Sequence, residues 1–202
     1  MKKLIINADD YGYAPRFNDG ILDARITSAS VMIERPFADL RLMEKGCGIG
    51  LHLELRGGDA YAQAEKQFNE FTRVYGLPTH LDSHKWVHEE DWALEGVARF
   101  AAENALPLRS TKKESRDFYR SLGINAPDNY FHSLGKEADE VLESLKALPD
   151  GVTEWAVHPG YFDAESDSSK NEEREKELEL CNSEEVESIL EGVRLVSYAD
   201  AF

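Results

Sequence analysis

The chain has 202 residues, which fits one domain spanning 1–202, and its 42% hydrophobic content is enough for a core. Its 39 acidic residues outnumber 23 basic ones, for a net charge of −16. That balance argues against nucleic acid or a membrane as partner, since an anionic polymer or surface is bound through basic patches.

Leu4-Ile5-Ile6 is a short apolar run that stops at Asp9, Asp10 and Gly12, and it reads as a strand buried on both faces. Pro15 suits the first turn of a helix reaching Ile26. Thr27 to Ile33 is β-branched and strand-like, Phe37 to Lys45 a short helix, and Gly48 to Leu55 the next strand. Ala62 to Tyr75 is a helix with Phe68, Phe71 and Tyr75 on one stripe and Gly76 as its stop. His80 to Ser83 follows as a strand, Asp91 to Asn104 as a helix and Leu106 to Arg109 as a weak strand. Nothing regular is evident over Thr111 to His132, and His132 is read as a surface residue. Lys136 to Leu148 is a helix, Thr153 to Val157 a strand, Glu172 to Glu191 one or two acidic helices on the surface, and Arg194 to Tyr198 a last strand. Strand and helix alternate at helix-length connections, which predicts a parallel α/β fold. The repeated units suggest a (β/α) barrel, shortened or irregular because a regular TIM-type barrel takes about 250 residues.

Cys47 and Cys181 form no CxxC pair and imply no disulfide framework. The N-terminal apolar run is too short for a signal peptide, and no stretch approaches the length of a membrane span. The expected location is cytoplasmic.

In a parallel barrel the chemistry lies at the C-terminal ends of the strands. Asp9 and Asp10 fall at such an end. In Leu51-His-Leu-Glu-Leu55 the leucines alternate with His52 and Glu54, which places the two polar groups on one face. The same period sends His80, Asp82 and His84 to one face, and a polar face inside a barrel must be satisfied by its own members or by a metal. Arg109 stands at a further strand end and His158-Pro-Gly-Tyr161 follows another. Singly, each has a plainer reading: a helix cap for Asp9-Asp10, a hydrogen-bonded core residue for His52, one helical face for His84 and His88, a turn for His158-Pro-Gly, a surface ion pair for Arg109.

Taken together, Asn7-Ala-Asp-Asp-Tyr-Gly, Gly50-Leu-His-Leu, Thr79-His-Leu-Asp-Ser-His-Lys-Trp-Val-His and His158-Pro-Gly-Tyr resemble, in order, the YdjC-like family of carbohydrate deacetylases, which includes the ChbG-type chitooligosaccharide deacetylases. The resemblance implies a barrel-like α/β fold, a single divalent metal ion (zinc or magnesium) and hydrolysis of an N-acetyl group on a small amino sugar. By motif position, Asp10, His52 and His84 would hold the metal and Asp9 would be the base. His158 is our candidate acid for the departing amine, because imidazole titrates near neutrality. His80 or Asp82 would hydrogen-bond to the ligands, and Arg109 would pin a carboxylate or touch substrate. Relatives often carry a third histidine where this chain has Trp86, which either stacks on a sugar or packs internally. They also have a longer loop where this chain passes from Arg56-Gly-Gly-Asp59 straight into a helix. The resemblance allows for a homodimer. Two other readings stand beside it: a metallo-phosphoesterase, and a non-catalytic sugar-binding protein on the same scaffold.

Overall fold

A computed structural model describes residues 1–202. β1 (Lys2–Tyr11), α1 (Pro15–Asp23), β2 (Ser28–Val31), α2 (Arg41–Glu44), β3 (Gly48–Leu53), α3 (Ala60–Tyr75) and β4 (Leu81–Ser83) follow in turn. A 3₁₀ segment (His84–Glu89) then leads into α4 (Asp91–Glu103), α5 (Lys113–Ser121), β5 (Asn129–His132) and α6 (Ala138–Lys146). β6 (Gly151–Val157), α7 (Glu173–Cys181), α8 (Glu184–Leu190), β7 (Arg194–Leu195) and α9 (Tyr198–Ala201) complete the chain.

All strand pairs are parallel, in the order β4-β3-β2-β1-β6-β5. β7 pairs with the first half of β1, through Lys3 and Leu4, while β2 pairs with its second half from Asn7 onward. The segment around Leu108 continues the sheet past β4 by a single bridge to Leu81.

The sheet is curled. Arg109, beyond the β4 edge, bonds to Glu154 on β6 at 2.6 Å. With strands about 4.8 Å apart, those positions would be roughly 24 Å apart in a flat sheet, far beyond a side chain's reach. The fold is thus the expected shortened barrel of parallel strands with helices outside.

Period-2 alternation sorts the residues between two environments. Leu4, Ile6 and Ala8 of β1, Ala29 and Val31 of β2, Leu51 and Leu53 of β3, Leu81 of β4 and Trp155 and Val157 of β6 join one core of 34 buried residues. The intervening residues Asn7, Asp9, Ser28, Ser30, His52, Asp82 and Glu154 are buried on the other face. One side of the sheet is therefore an apolar seat for helices, and the concave side is a buried polar interior. A plug of Ile5, Val152, Val196 and Tyr198 closes the N-terminal end of that interior.

Several elements differ from the sequence expectation. β1 runs on through the acids instead of stopping before them. The stretch 111–132 holds a helix and a strand, and Leu106–Arg109 is a bridge and not a strand. Asp59 starts α3 earlier than expected by accepting a hydrogen bond from the Ala62 amide at 3.1 Å. The final strand is only Arg194–Leu195, because Ser197 caps α9 through a reciprocal bond with Asp200.

Candidate active site

Adjacent residues of a regular strand point to opposite faces, so Asp9 and Asp10 ought not to reach one cavity. A bulge resolves this. The register of β1 against β2 shifts between Ala8 and Tyr11, and Asp10 takes the left-handed conformation, φ 70°. An extra residue turns the strand locally and re-aims a side chain. Asp9 faces the interior by alternation, and Asp10 is swung to the same cavity by the bulge.

Asp10 Oδ1 is 3.3 Å from His52 Nε2 and 3.0 Å from His84 Nδ1. One ligand atom from each of these residues lies within 4.8 Å of the others. A carboxylate and two imidazoles converging in this way are a donor set suited to a divalent cation with open positions left over. His52 and Asp10 are buried, and His84 is half-buried at the cavity side. His52 Nδ1 is fixed by Asp82 Oδ1 at 2.7 Å, the carboxylate–imidazole contact that orients a metal-binding ring. Burial pushes the His52 imidazole down, but Asp82, Asp10 and Asp9 outweigh it and hold it up to about 10. Burial likewise opposes ionisation of Asp10, yet the Arg174 charge and the two imidazoles keep its carboxyl well below the ordinary range.

His84 does not lie on a strand face with His80 and Asp82. β4 ends at Ser83, and His84 opens the 3₁₀ segment. His80 and Asp82 do share the interior face: Ser30 Oγ donates to Asp82 Oδ2 at 2.8 Å and lies 3.1 Å from His80 Nε2. His80 stacks on Tyr198, with ring centroids 3.8 Å apart, and burial drops it to about 3, so it is neutral. It sits under Gly50, where a Cβ would fall 2.2 Å from the ring. Glu54, expected beside His52, pairs instead with Arg35 at 2.7 Å, away from the cluster.

Arg109 is not a surface residue. It is fully buried and binds both oxygens of Asp9 at 2.7 Å, Asp82 at 2.8 Å and Glu154 at 2.6 Å. Asn7 Nδ2 adds a bond to Asp9 Oδ1 at 2.8 Å. Burial opposes the charge on Asp9, and Arg109 outweighs it, so the carboxylate stays ionised. Glu154 accepts in turn from the Tyr198 hydroxyl at 2.5 Å.

His158 follows β6 with Nε2 3.7 Å from Asp9 Oδ2 and Nδ1 3.6 Å from Glu177 Oε2. Its turn packs tightly on α1: a Cβ on Gly20 would lie 2.4 Å from Gly160 Cα. Burial disfavours the imidazolium, but the facing carboxylates of Glu177, Asp9 and Asp10 raise His158 above its ordinary value. Glu177 is itself anchored by the His158 amide at 2.7 Å and by the Ser133 hydroxyl.

These groups open on a cavity of about 470 Å³. Its wall includes Asp9, Asp10, His52, His84 and His158, with Trp86 and His132 at one side. His132 therefore belongs to the cavity and not to the outer surface. Trp86 is 38% exposed, donates to the Tyr130 hydroxyl at 2.9 Å and lies 5.3 Å from the His132 ring. Both Lys85 and Trp86 have positive φ, 58° and 56°, a strained turn that displays the indole at the rim.

Sequence reasoning passed over three residues. Arg174, on α7, contacts Asp10 at 2.5 Å but hides in an acidic run that reads as surface. Glu177 is three residues on, and Leu178 four; both are buried with it, and that spacing was the available signal. Glu154 was masked by its place in a strand whose other members, Thr153 and Gly151 apart, are apolar.

A curled parallel sheet gathers, at and just beyond its strand ends, a carboxylate and two imidazoles that could hold a metal ion, beside a second, arginine-held carboxylate, in an α/β protein with a polar central cavity. The chain belongs to the YdjC-like family, whose family model matches residues 3–66 and 58–192. It is 29% identical to a carbohydrate deacetylase of Geobacillus stearothermophilus, covering 98% of this chain and 97% of the relative. It is also 29% identical to a chitooligosaccharide deacetylase of Yersinia enterocolitica, covering 98% and 99% respectively. A crystal structure from Enterococcus faecalis V583, described as a candidate cellobiose-phosphate cleavage protein, superposes with a TM-score of 0.84 at 26% identity over 98% of this chain and 97% of that one. The two alignments run to 240 and 252 positions against 202 residues here, so the relatives carry stretches this chain lacks. The two pieces of the family match overlap at 58–66, where the chain passes directly from Leu55 to α3.

Proposed function

We propose that the protein is a metal-dependent hydrolase that removes an N-acetyl group from a small amino sugar or oligosaccharide. The observation that carries this reading is the convergence of Asp10, His52 and His84 beside Asp9 and His158 in one cavity. The carbohydrate deacetylases to which the chain is similar end to end supply the substrate class.

Asp10, His52 and His84 would hold the ion; zinc and magnesium are the leading candidates. A divalent ion there would supply Lewis acidity toward the acetyl carbonyl and the attacking water. The remaining work falls to this chain's own residues. Asp9 orients the water and takes its proton. Arg109 and Asn7 fix the plane of that carboxylate, so little reorganisation is needed as water attacks. An amide nitrogen leaves only if protonated, and His158, whose charged form the facing Glu177 and Asp9 carboxylates favour, is placed to supply that proton. Asp82 fixes His52 in orientation, while His80 stands behind it through Ser30. The cavity of about 470 Å³ is of a size for a small-molecule ligand, with Trp86 offering an apolar face at the rim. A second close-set group, Asp9, His52 and Asp82, shares His52 with the first, and its two carboxylates are held by Arg109, so the centre lacks the separate bridged pair of sites that a dinuclear phosphatase needs.

The test is acetate release from N-acetylated sugars with and without divalent metals, alongside a panel of phosphate esters. We expect acetate release by the wild type, and a fall of roughly 10²–10⁴-fold in Asp9→Asn with metal content kept. An unchanged rate in Asp9→Asn would remove the base assignment. Sugar binding without acetate release under any metal would leave a binding protein.

A further inference from the structure

Arg174 has no role in the scheme above, yet its environment is that of a working residue. It is 2% exposed, and only Nη2 has a protein partner, Asp10 Oδ2 at 2.5 Å. Nε and Nη1 are buried without any hydrogen-bond partner. Arginine cannot shed its charge, so two unused donors on a buried guanidinium are costly unless something else accepts from them. The guanidinium is held flat over the Phe17 ring, 4.0 Å from its centroid, and Arg174 forms part of the cavity wall together with Asp9, Asp10 and His158. Its backbone is fixed too, since the Arg174 carbonyl accepts from the Gly160 amide at 3.2 Å, in the turn that carries His158. A rigid, desolvated cation with free N–H groups beside the reacting centre is the arrangement that stabilises developing negative charge.

We propose that Arg174 is a further catalytic residue, the donor that receives the negative charge forming on the acyl oxygen during deacetylation. This rests on the deacetylase reading. Water oxygen bonds to the acyl carbon, its proton goes to Asp9, and the carbonyl π pair moves onto the acyl oxygen, where Nε–H or Nη1–H of Arg174 donates to it. That pair then reforms the carbonyl as the C–N bond breaks. Nitrogen keeps the bonding electrons, takes a proton from His158 and leaves as the amine; the other product is acetic acid, which ionises to acetate in solution, and the proton on Asp9 returns to His158 through solvent. Binding to the ground-state carbonyl is weaker than to the oxyanion, so the contribution appears in kcat more than in KM.

The experiment compares wild type, Arg174→Met and Arg174→Lys. Each is measured for folding, metal content, kcat and KM on an N-acetyl sugar, and affinity by calorimetry for the methylphosphonamide of glucosamine, whose tetrahedral oxygens imitate the intermediate. We expect Arg174→Met to lose roughly 10²–10³-fold in kcat, with KM and metal content near wild type. Its affinity for the tetrahedral mimic should fall by a similar factor, while affinity for the acetylated sugar stays. Arg174→Lys, which keeps the charge and guards against a folding failure in the methionine variant, should fall between. A purely structural Arg174 would weaken both ligands alike. The proposal is overturned if wild type releases acetate and the variants keep kcat and mimic affinity, or if the variants lose metal instead of rate. A wild type that releases no acetate from any N-acetyl sugar overturns the deacetylase reading itself, and this role with it.

Discussion

At the scale of single residues, the interior is a balance of charges around Arg109. One guanidinium faces three carboxylates, Asp9, Asp82 and Glu154, and water reaches none of them freely. Glu154 bears the cost. Burial raises it from 4.5 to about 7, with Arg109 and the Tyr198 hydroxyl offsetting part of the shift. An unfolded glutamate has released its proton above 4.5, whereas the folded one keeps it until about 7. The folded state therefore binds more protons in that window, and stability falls as pH rises through it. Glu154→Gln removes this dependence. Urea unfolding of both proteins at intervals between about pH 4.5 and 8 should show the wild type losing on the order of a few kcal/mol relative to the variant across the window. Parallel pH curves for the two would mean that Glu154 is ionised throughout and that Arg109 carries all three negative charges.

At the scale of elements, most of the fold was legible wherever alternation was strict. Leu51-His52-Leu53 and Leu81-Asp82 read correctly because a leucine on the helix side and a polar residue on the interior side is the pattern a parallel barrel with a polar lumen imposes. The bulge at Asp10 was not legible, since no residue type announces a left-handed aspartate and only pairing with β2 reveals the shift. α5 and β5 were missed for another reason. Lys113–Ser121 is one-sided, with Ser115 and Tyr119 buried four residues apart, but so polar overall that its inner face does not stand out as apolar, and all four residues of Asn129–His132 are partly exposed, so no buried alternation marks that strand. Two local packings make the strand geometry testable. Gly50 on β3 lies against His80, and Gly50→Ala would force the ring off Tyr198, so it should cost about 1–3 kcal/mol of unfolding free energy as an overpacked core position. Lys85→Gly acts in the other direction. The native backbone there has φ 58°, where a Cβ is strained, and relief of that strain should offset the added freedom of the unfolded chain. Its midpoint in urea should match or exceed that of wild type; a loss of more than about 1 kcal/mol would show that the lysine side chain, not the turn, stabilises the rim.

At the scale of the whole molecule, the charge of −16 works against compaction, and part of it is concentrated in the acidic helices α7 and α8. Two kinds of cation can relieve that repulsion, and they act differently. Monovalent salt screens exposed charges generally and should raise the melting temperature of every variant alike. A divalent ion at Asp10, His52 and His84 acts through one site, by mass action on the folded state alone. At 100 times its dissociation constant it adds about 2.7 kcal/mol, which for a chain of this size is a rise of roughly 5–10 °C. Thermal unfolding with a metal series at fixed ionic strength separates the two effects. We expect the increment in wild type to follow a saturating curve and to vanish in His52→Ala and His84→Ala, while their response to sodium chloride is unchanged. Asp10→Asn should behave in the same way, because it removes the one carboxylate that both imidazoles face. An equal metal increment in all three variants would place the binding on the acidic surface, and Asp10, His52 and His84 would then be an interior hydrogen-bond cluster with no ion to hold.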